Sequence, residues 1–416
     1  MSIGLKNSWP LFVGMLMLMM GNGLQGTLLG VRGGIEGFNP NTMSWVMAGY
    51  FIGFLGGSRL APLMIRRVGH VRVFAALASL ISACFVLFPV FAIEFVWFLL
   101  RIIIGFCFSG VYVVSESWLN DFSDNKNRGK ILSIYLIIQT LGLVLAQFVL
   151  NFADVSGYTL FIVASVILSL SFAPILLTVT PAPPFETTKP MGLKNLYKAS
   201  PLGVVGLFIL GAIFGAIFGM TAIFGSEIGM SVPEISIFVA TIYFGGLLFQ
   251  MPIGWLSDRI DRRFLIIFVS TIGGFCSILL FVISYNYVVY LIFIFFIGGM
   301  VNPLYSLFIA YTNDFLEHDD MAAAAGGLVF INGLGAIIGP LAVGFLMSNF
   351  GPDAFFVYLG GILILISIYA LYRKTQREAP AVSETSSYTT ITPSLTPVAV
   401  EVAQEIAIEA ALEEDS

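Results

Sequence analysis

The sequence predicts an all-α membrane protein: twelve transmembrane helices in two pseudo-symmetric six-helix bundles, with both termini cytoplasmic. Three observations carry this expectation. Of the 416 residues, 58% are hydrophobic and 10% charged, whereas a soluble domain carries about a quarter charged residues. No water-soluble core could hide that much apolar surface, so the bilayer is the solvent. The chain up to about residue 372 divides into twelve apolar stretches of roughly the 20 residues that cross the hydrocarbon. The sequence also repeats itself at an offset of 192 to 193 residues.

Span one, near residues 9 to 30, follows a single basic residue, Lys6. It is too long for a signal-peptide core, is interrupted by Asn22 and Gln25, and has no small-x-small cleavage site, so it reads as a retained span. Span two (41 to 62) ends at a basic loop holding Arg66, Arg67 and Arg72, with Arg59 one turn inside it and placed to snorkel. Span three lies near 74 to 92, span four near 95 to 118, span five near 131 to 151 with Gln139 and Gln147, and span six near 159 to 178. The second set covers 202 to 224, 234 to 255 with Gln250, 264 to 283, 287 to 312 with Asn302 and Tyr305, 321 to 348 with Asn332, and 353 to 372. Spans three, six, nine and twelve hold no Asn, Gln or charged residue in their apolar stretches, which marks them as peripheral, since strongly polar side chains avoid lipid tails. Span seven carries Gly211, Gly215 and Gly219 at every fourth position, a spacing that lets two helices approach closely.

The domain organisation that follows is a first bundle over 1–180, a cytoplasmic linker over 181–201, a second bundle over 202–372, and a disordered acidic tail over 373–416. Within the linker, Met191 to Lys198 reads as a short basic amphipathic piece on the inner leaflet. In the tail, residues 375 to 397 are rich in Ser, Thr and Pro, a composition of disorder. Beyond them Glu401, Glu405, Glu409 and Glu413 recur every four residues, either as an acidic helical face or as nothing stable. The net charge of -5 comes from this tail, whose 373–416 segment holds eight acids and three bases; it implies no nucleic-acid partner.

Basic residues near span ends stay cytoplasmic. With the N-terminus inside, 16 of the 19 basic residues fall inside, in loops of three such as Arg66, Arg67, Arg72 and Arg259, Arg262, Arg263, and only Arg32 falls outside. The repeat explains this regularity. An offset of 193 carries Gly105 onto Gly298, Ser109 onto Asn302, Tyr112 onto Tyr305, Gly142 onto Gly335 and Asn120-Asp121-Phe122 onto Asn313-Asp314-Phe315. An offset of 192 carries Gly53 onto Gly245 and the 66 to 72 loop onto Asp258 to Arg263. Six helices per copy makes the two copies parallel, related by an axis along the membrane normal.

Span four has the sharpest polar stripe: Arg101, Gly105, Ser109, Tyr112 and Glu116 fall within about 80° of one another on a helix. A mid-membrane Arg costs about 2.5–3.5 kcal/mol by insertion scales, so its presence suggests a task. Arg101 either binds an anionic group of a solute, or responds to a nearby protonation, or is a structural ion pair or carbonyl clamp. Glu116 lies about 22 Å further along the helix and is expected to act as a gate or latch toward Arg66, Arg67 or Arg128 rather than to touch a solute. Asn22, Gln25, Tyr112, Gln139, Gln250, Asn302, Tyr305 and Asn332 are the other candidate solute or coupling residues.

These residues resemble the major facilitator superfamily over about residues 9 to 372. Gly254-Trp-Leu-Ser-Asp258-Arg259-Ile-Asp-Arg262-Arg263 is similar to that family's signature loop between spans eight and nine, with Asp261 in place of the second glycine. The first-half counterpart keeps Gly69 and the basic residues but has Arg66 where the family has Asp, which weakens the carry-over of a gating salt bridge to that loop. Arg101-x-x-x-Gly105 resembles the span-four motif of proton-coupled members, and Gly335-x-x-x-Gly339-Pro340-x-x-x-Gly344 a helix-bending pattern on span eleven. Span five lacks the Gly-Pro pair of proton-driven drug antiporters, and span one lacks a carboxylate. Glu116-Ser-Trp followed by Asn127-Arg128-Gly129-Lys130 resembles the YcaD-like bacterial branch.

The resemblance implies a secondary active transporter that moves a small polar or anionic organic solute across the inner membrane by alternating access. Asp258, Arg259 and Arg262 would join Arg66, Arg67, Arg72 and Glu116 in gating. The alternative is a non-transporting membrane receptor or assembly partner with the same fold. No cofactor or metal is expected, and a proton is favoured over sodium as the coupling ion. The expected partners are a small-molecule substrate and the lipid bilayer, with the chain a monomer. No phosphate-cradling Gly-rich loop is present, His70 and His318 lie outside any metal-ligand spacing, and Cys84, Cys107 and Cys276 fall in apolar stretches with no disulfide framework. Nothing supports an enzyme.

Overall fold

A computed structural model describes residues 9–121, 128–176, 191–283, 285–378, 380, 385–393 and 396–414, without the side chains of 121, 175, 176, 318, 319 and 408–414. Lys6, Lys126, Lys189 and residues 177–190, with the end of span six and the start of the linker, lie outside the described residues. Everything regular in the described residues is helix. In chain order these are α1 (Trp9–Ile35), α2 (Pro40–Val68), α3 (His70–Val90), α4 (Glu94–Asp121), α5 (Arg128–Val149) and α6 (Thr159–Ser171, followed by one turn, Ala173–Leu176). After a short helix over Leu193–Ala199 come α7 (Pro201–Glu227), α8 (Val232–Ser257), α9 (Arg262–Val282), α10 (Tyr287–Asn313), α11 (His318–Phe350), α12 (Ala354–Lys374) and α13 (Pro397–Glu414). Among the described residues eleven helices are long and apolar enough to cross a membrane, α6 being the shorter one.

Helix α2 outruns its apolar stretch at both ends. Asn39 accepts a hydrogen bond from the Thr42 amide at 2.8 Å, with Pro40 in the first helical position, to start α2. Arg66 and Arg67 in its last turn complement the helix dipole. Gly69, at φ +85°, then breaks the helix in a conformation only glycine adopts freely, so α3 begins at His70 rather than at 74.

The described residues form two compact units: Met1–Thr187 with Gly215–Ala240 and Ile337–Pro352, and Thr188–Phe214 with Thr241–Ala336 and Asp353–Ser416. In the first unit α2 crosses α4 so closely that a Cβ on Gly53 would sit 1.9 Å from the Ile102 carbonyl oxygen, and one on Gly105 1.9 Å from that of Tyr50. Gly142 brings α5 onto Met19 of α1, and Ser82 of α3 hydrogen-bonds Ser165 and Ser169 of α6 at 2.8 Å. The second unit repeats the glycine crossings at the repeat's own offset. A Cβ on Gly245 would lie 2.1 Å from the Phe295 oxygen, one on Gly298 2.3 Å from that of Ile242, and one on Gly335 1.9 Å from that of Phe208. Thr271 of α9 meets Ser367 of α12 at 2.7 Å. The duplicated glycines are therefore duplicated helix contacts, and the four spans without strong polar residues pair α3 with α6 and α9 with α12.

The short helix Leu193–Ala199 buries Leu196, which lies against Gly327 of α11. The tail corrects the expectation of disorder: Thr385–Pro393 runs along the second unit, and α13 follows with Val400, Val402, Ala403, Gln404 and Ala407 buried. Of these, Val400, Ala403, Gln404 and Ala407 recur at i, i+3, i+4 and i+7 on one face.

Candidate functional site

In the first unit, α1, α2 and α4 bring together a buried polar group with more hydrogen-bonding capacity than the protein fills. The Asn22 amide donates to the Tyr112 hydroxyl at 2.9 Å, and that hydroxyl approaches the Met19 sulfur at 3.5 Å. Tyr50 turns its phenol to the same two residues. Arg101 is completely buried; one terminal nitrogen points at the Met47 sulfur at 3.3 Å, and its guanidinium lies 5.0 Å from the centre of the Tyr50 ring. Its Nε and other terminal nitrogen have no protein partner, nor have either end of the Gln25 amide, Asn22 Oδ1 or Ser109 Oγ. Each such unpaired buried group costs about 1–3 kcal/mol, more when charged. Phe54 and Phe108 stand against Tyr112, each about 6.0 Å away between ring centres.

Other predicted residues are placed differently. Gln139 and Glu116 are buried, and Tyr135 donates to Glu116 at 3.4 Å and bonds Gln139. Arg59, Arg66, Arg67 and Arg72 are exposed. In the second unit Asn302 donates back to the Gly298 carbonyl of its own helix at 2.9 Å, whereas Asn332 donates to that of Leu207 at 3.1 Å and ties α11 to α7. Tyr305 is buried in α10, and Gln250 donates to Ser306 at 2.9 Å.

The second-unit residues expected to act in gating divide. Arg262 is buried and forms an ion pair with Asp314, with Asp258 at 3.6 Å and the Ala310 carbonyl at 3.2 Å. Burial pushes the Asp314 carboxyl above the usual range, against the pull of Arg262 and of Ser386. Arg259 stands apart, exposed and 4.1 Å from the Trp255 ring centre. The first-unit counterpart of Arg262 is His70, bonded to Ser117 at 2.9 Å.

Sequence reasoning missed Tyr50, Met47, Asp314 and Ser306. Tyr50 and Met47 follow no pattern in an apolar helix. Asp314 carried a signal, the Asn-Asp-Phe triplet shared by both copies.

At the end of the first unit away from the basic loops, α7, α8 and α11 contribute a closure. A Cβ on Gly30 would lie 2.9 Å from that of Ala222, and one on Gly344 2.2 Å from that of Ser44. The Asn41 amide bonds Ser348 at 3.0 Å, and Asn151 bonds Ser236 at 3.2 Å. Arg32, the lone basic residue there, is consumed locally by Glu36 at 2.6 Å and by the carbonyls of Val155, Ser156 and Gly157.

The sequence profile of the Major Facilitator Superfamily matches residues 11–231 and again 203–405, starts that are 192 residues apart like the glycines. "Uncharacterized MFS-type transporter YfkF" of Bacillus subtilis (strain 168) is 27% identical, covering 82% of this chain and 88% of that protein. "Uncharacterized MFS-type transporter YcaD" of Escherichia fergusonii is 24% identical over 89% and 97%. Among solved structures, a single-site mutant of the nucleoside transporter NupG superposes with a TM-score of 0.73 at 14% identity, covering 88% of this chain and 99% of that one. A bacterial homologue of the human lysosomal transporter Spinster, inward-facing and unoccupied, gives 0.68 at 13% identity over 98% of each chain. These structures share the fold with this chain, and their substrates are their own.

Proposed function

The chain belongs to the major facilitator superfamily and is a membrane transporter of its YcaD-like branch rather than an enzyme, and on that footing we propose that it is a secondary active carrier of a small organic anion. The observation that carries this reading is the set of unfilled buried groups around Arg101: two guanidinium nitrogens, both ends of Gln25, Asn22 Oδ1 and Ser109 Oγ. A solute with one carboxylate would take the guanidinium, and neighbouring donors and acceptors on it would take the amides. Tyr50, Phe54, Phe108 and Tyr112 would hold its apolar part.

Twelve spans in two six-helix bundles, with both termini in the cytoplasm of a bacterium, would let the halves rock and expose this group to each side in turn. The closure at the end away from the basic loops supports a state shut toward the outside. A proton, rather than sodium, would be the coupling ion, and a monomer the working unit. The same repeat and the same basic loops support this topology.

The test is thermal stabilisation of the purified protein by acetate, lactate, succinate, benzoate and glutamate, with uridine as a neutral comparator, since a ligand of the native state raises its apparent stability. At least one anion is expected to stabilise the parent, and Arg101→Met is expected to abolish that shift without lowering the ligand-free Tm. The desolvation of a buried charge with unfilled donors offsets its contacts with Met47 and Tyr50, so a Met of similar volume loses little. Stabilisation by uridine alone, or an anion shift that survives in Arg101→Met, would overturn the anionic reading. A failure of every solute would favour the non-transporting receptor.

A further inference from the structure

The second unit holds polar groups that the proposed transport cycle would need free, and the chain's own C-terminus occupies them. Gln250 of α8 and Ser306 of α10 each lie seven residues from the end of their helix on the basic-loop side, which is about 10 Å into the helical layer. Tyr388 reaches Gln250 with its hydroxyl at 3.0 Å and packs its ring on Gly254, where a Cβ would be 2.6 Å from the ring edge. Ser306 is clamped to one tail residue from both sides: it accepts from the Ile391 amide at 2.9 Å and donates to the Ile391 carbonyl at 2.9 Å.

The gating charges are engaged as well. Asp314 accepts from the Ser386 amide and hydroxyl, each at 3.0 Å, and Asp258 from the Tyr388 amide at 2.8 Å. Arg262 donates to the Ser386 carbonyl. Further along, Gln404 of α13 donates to Asn313 at 2.8 Å. Charge matches the seat: residues 385–416 carry six acids and no base, and the basic-loop end of this unit presents Arg262, Arg263, Arg373, Lys374 and Arg377.

We infer that Thr385–Pro393 and Thr396–Ala407 form an intramolecular plug, seated on the gating cluster at the inner mouth of the second unit, that must leave before Arg262, Asp258 and Asp314 can rearrange for transport. The occupant binds through backbone groups at Ser386, Tyr388 and Ile391. The seat therefore reads a non-helical segment followed by an acidic helix, and release frees Gln250, Ser306 and three gating charges together. As a gate, the plug rests on the transporter reading above; its docking does not.

Two measurements separate the two. Val402 is buried, and the three native cysteines are buried too, so Val402→Cys in the full chain reports docking through its rate of reaction with a water-soluble maleimide in nanodiscs. Ile391→Pro removes the amide that Ser306 accepts and is expected to speed this labelling about tenfold or more, as expected when a locally closed segment opens. Deleting 385–416 is expected to raise uptake of acetate, lactate, succinate, benzoate or glutamate into proteoliposomes about fivefold or more, the size of an ordinary coupling between sites. Labelling equally fast with and without Ile391→Pro overturns the plug, whatever the flux. Protection at Val402→Cys together with equal, measurable flux from full and truncated chains overturns its gating role. Protection together with no flux from either chain also removes the gate, and locates the failure in the transporter reading because the tail-free chain carries nothing either.

Discussion

Arg262 and Arg259 are three residues apart in one motif, and their surroundings separate them. Arg262 is buried against Asp314 and Asp258, whereas Arg259 is exposed on Trp255. Removing one partner of a buried ion pair leaves the other charge uncompensated at a cost of about 3–5 kcal/mol, while an exposed contact contributes about 0–1 kcal/mol. Asp314→Asn is therefore expected to lower the Tm of the purified protein markedly and Arg259→Ala hardly at all. Comparable Tm changes for the two would contradict the division. Sequence reasoning grouped both arginines as gating residues because spacing alone cannot tell a buried guanidinium from a surface one. Asp314 was legible only as a member of the repeated Asn-Asp-Phe triplet, with no partner attached. Arg101 was legible because a charge in an apolar helix stands out in any composition. Tyr50 and Met47, which face it, are ordinary residues for such a helix and gave no sign.

At the scale of helices, crossing glycines decide what can be packed. Gly53 and Gly105 bring α2 and α4 to backbone contact, as Gly245 and Gly298 do for α8 and α10. A methyl at Gly53 would meet the Ile102 carbonyl at 1.9 Å, and backbone cannot swing aside as a flexible side chain can. Gly361 of α12 has nothing within 4 Å of a Cβ, so alanine there gains about 1 kcal/mol of helix propensity. Gly53→Ala is expected to lose monodisperse protein on size exclusion or to melt well below the parent, while Gly361→Ala elutes and melts at or above it. A tolerated Gly53→Ala would mean the crossing is looser than described. The helices and their duplication were legible because the bilayer imposes length and polarity on every span. The tail was not. Its Ser, Thr and Pro content reads as solvated chain, and the stripe of α13 is built from small residues, Ala403 and Ala407 with Val400, whose apolar signal is weak. What orders it is a tertiary seat, Gln250, Ser306, Asp258 and Asp314, that no local pattern encodes.

For the whole molecule, the proposed transport cycle exposes the polar group around Arg101 to one side at a time, so the closure in the first unit has to open in every turn of it. Gly34 and Ser226 test this directly. A Cβ built on Gly34 lies 3.9 Å from the Ser226 Cβ, close to the roughly 3.8 Å of a disulfide, and Gly34 is exposed with no positive φ to strain. The measurement is solute uptake by proteoliposomes containing Gly34→Cys with Ser226→Cys, before and after oxidation and after reduction. Oxidation is expected to abolish uptake and reduction to restore it, with each single cysteine unaffected. Uptake that continues at the parent rate in fully cross-linked protein would contradict this cycle, because the closure would then never need to open.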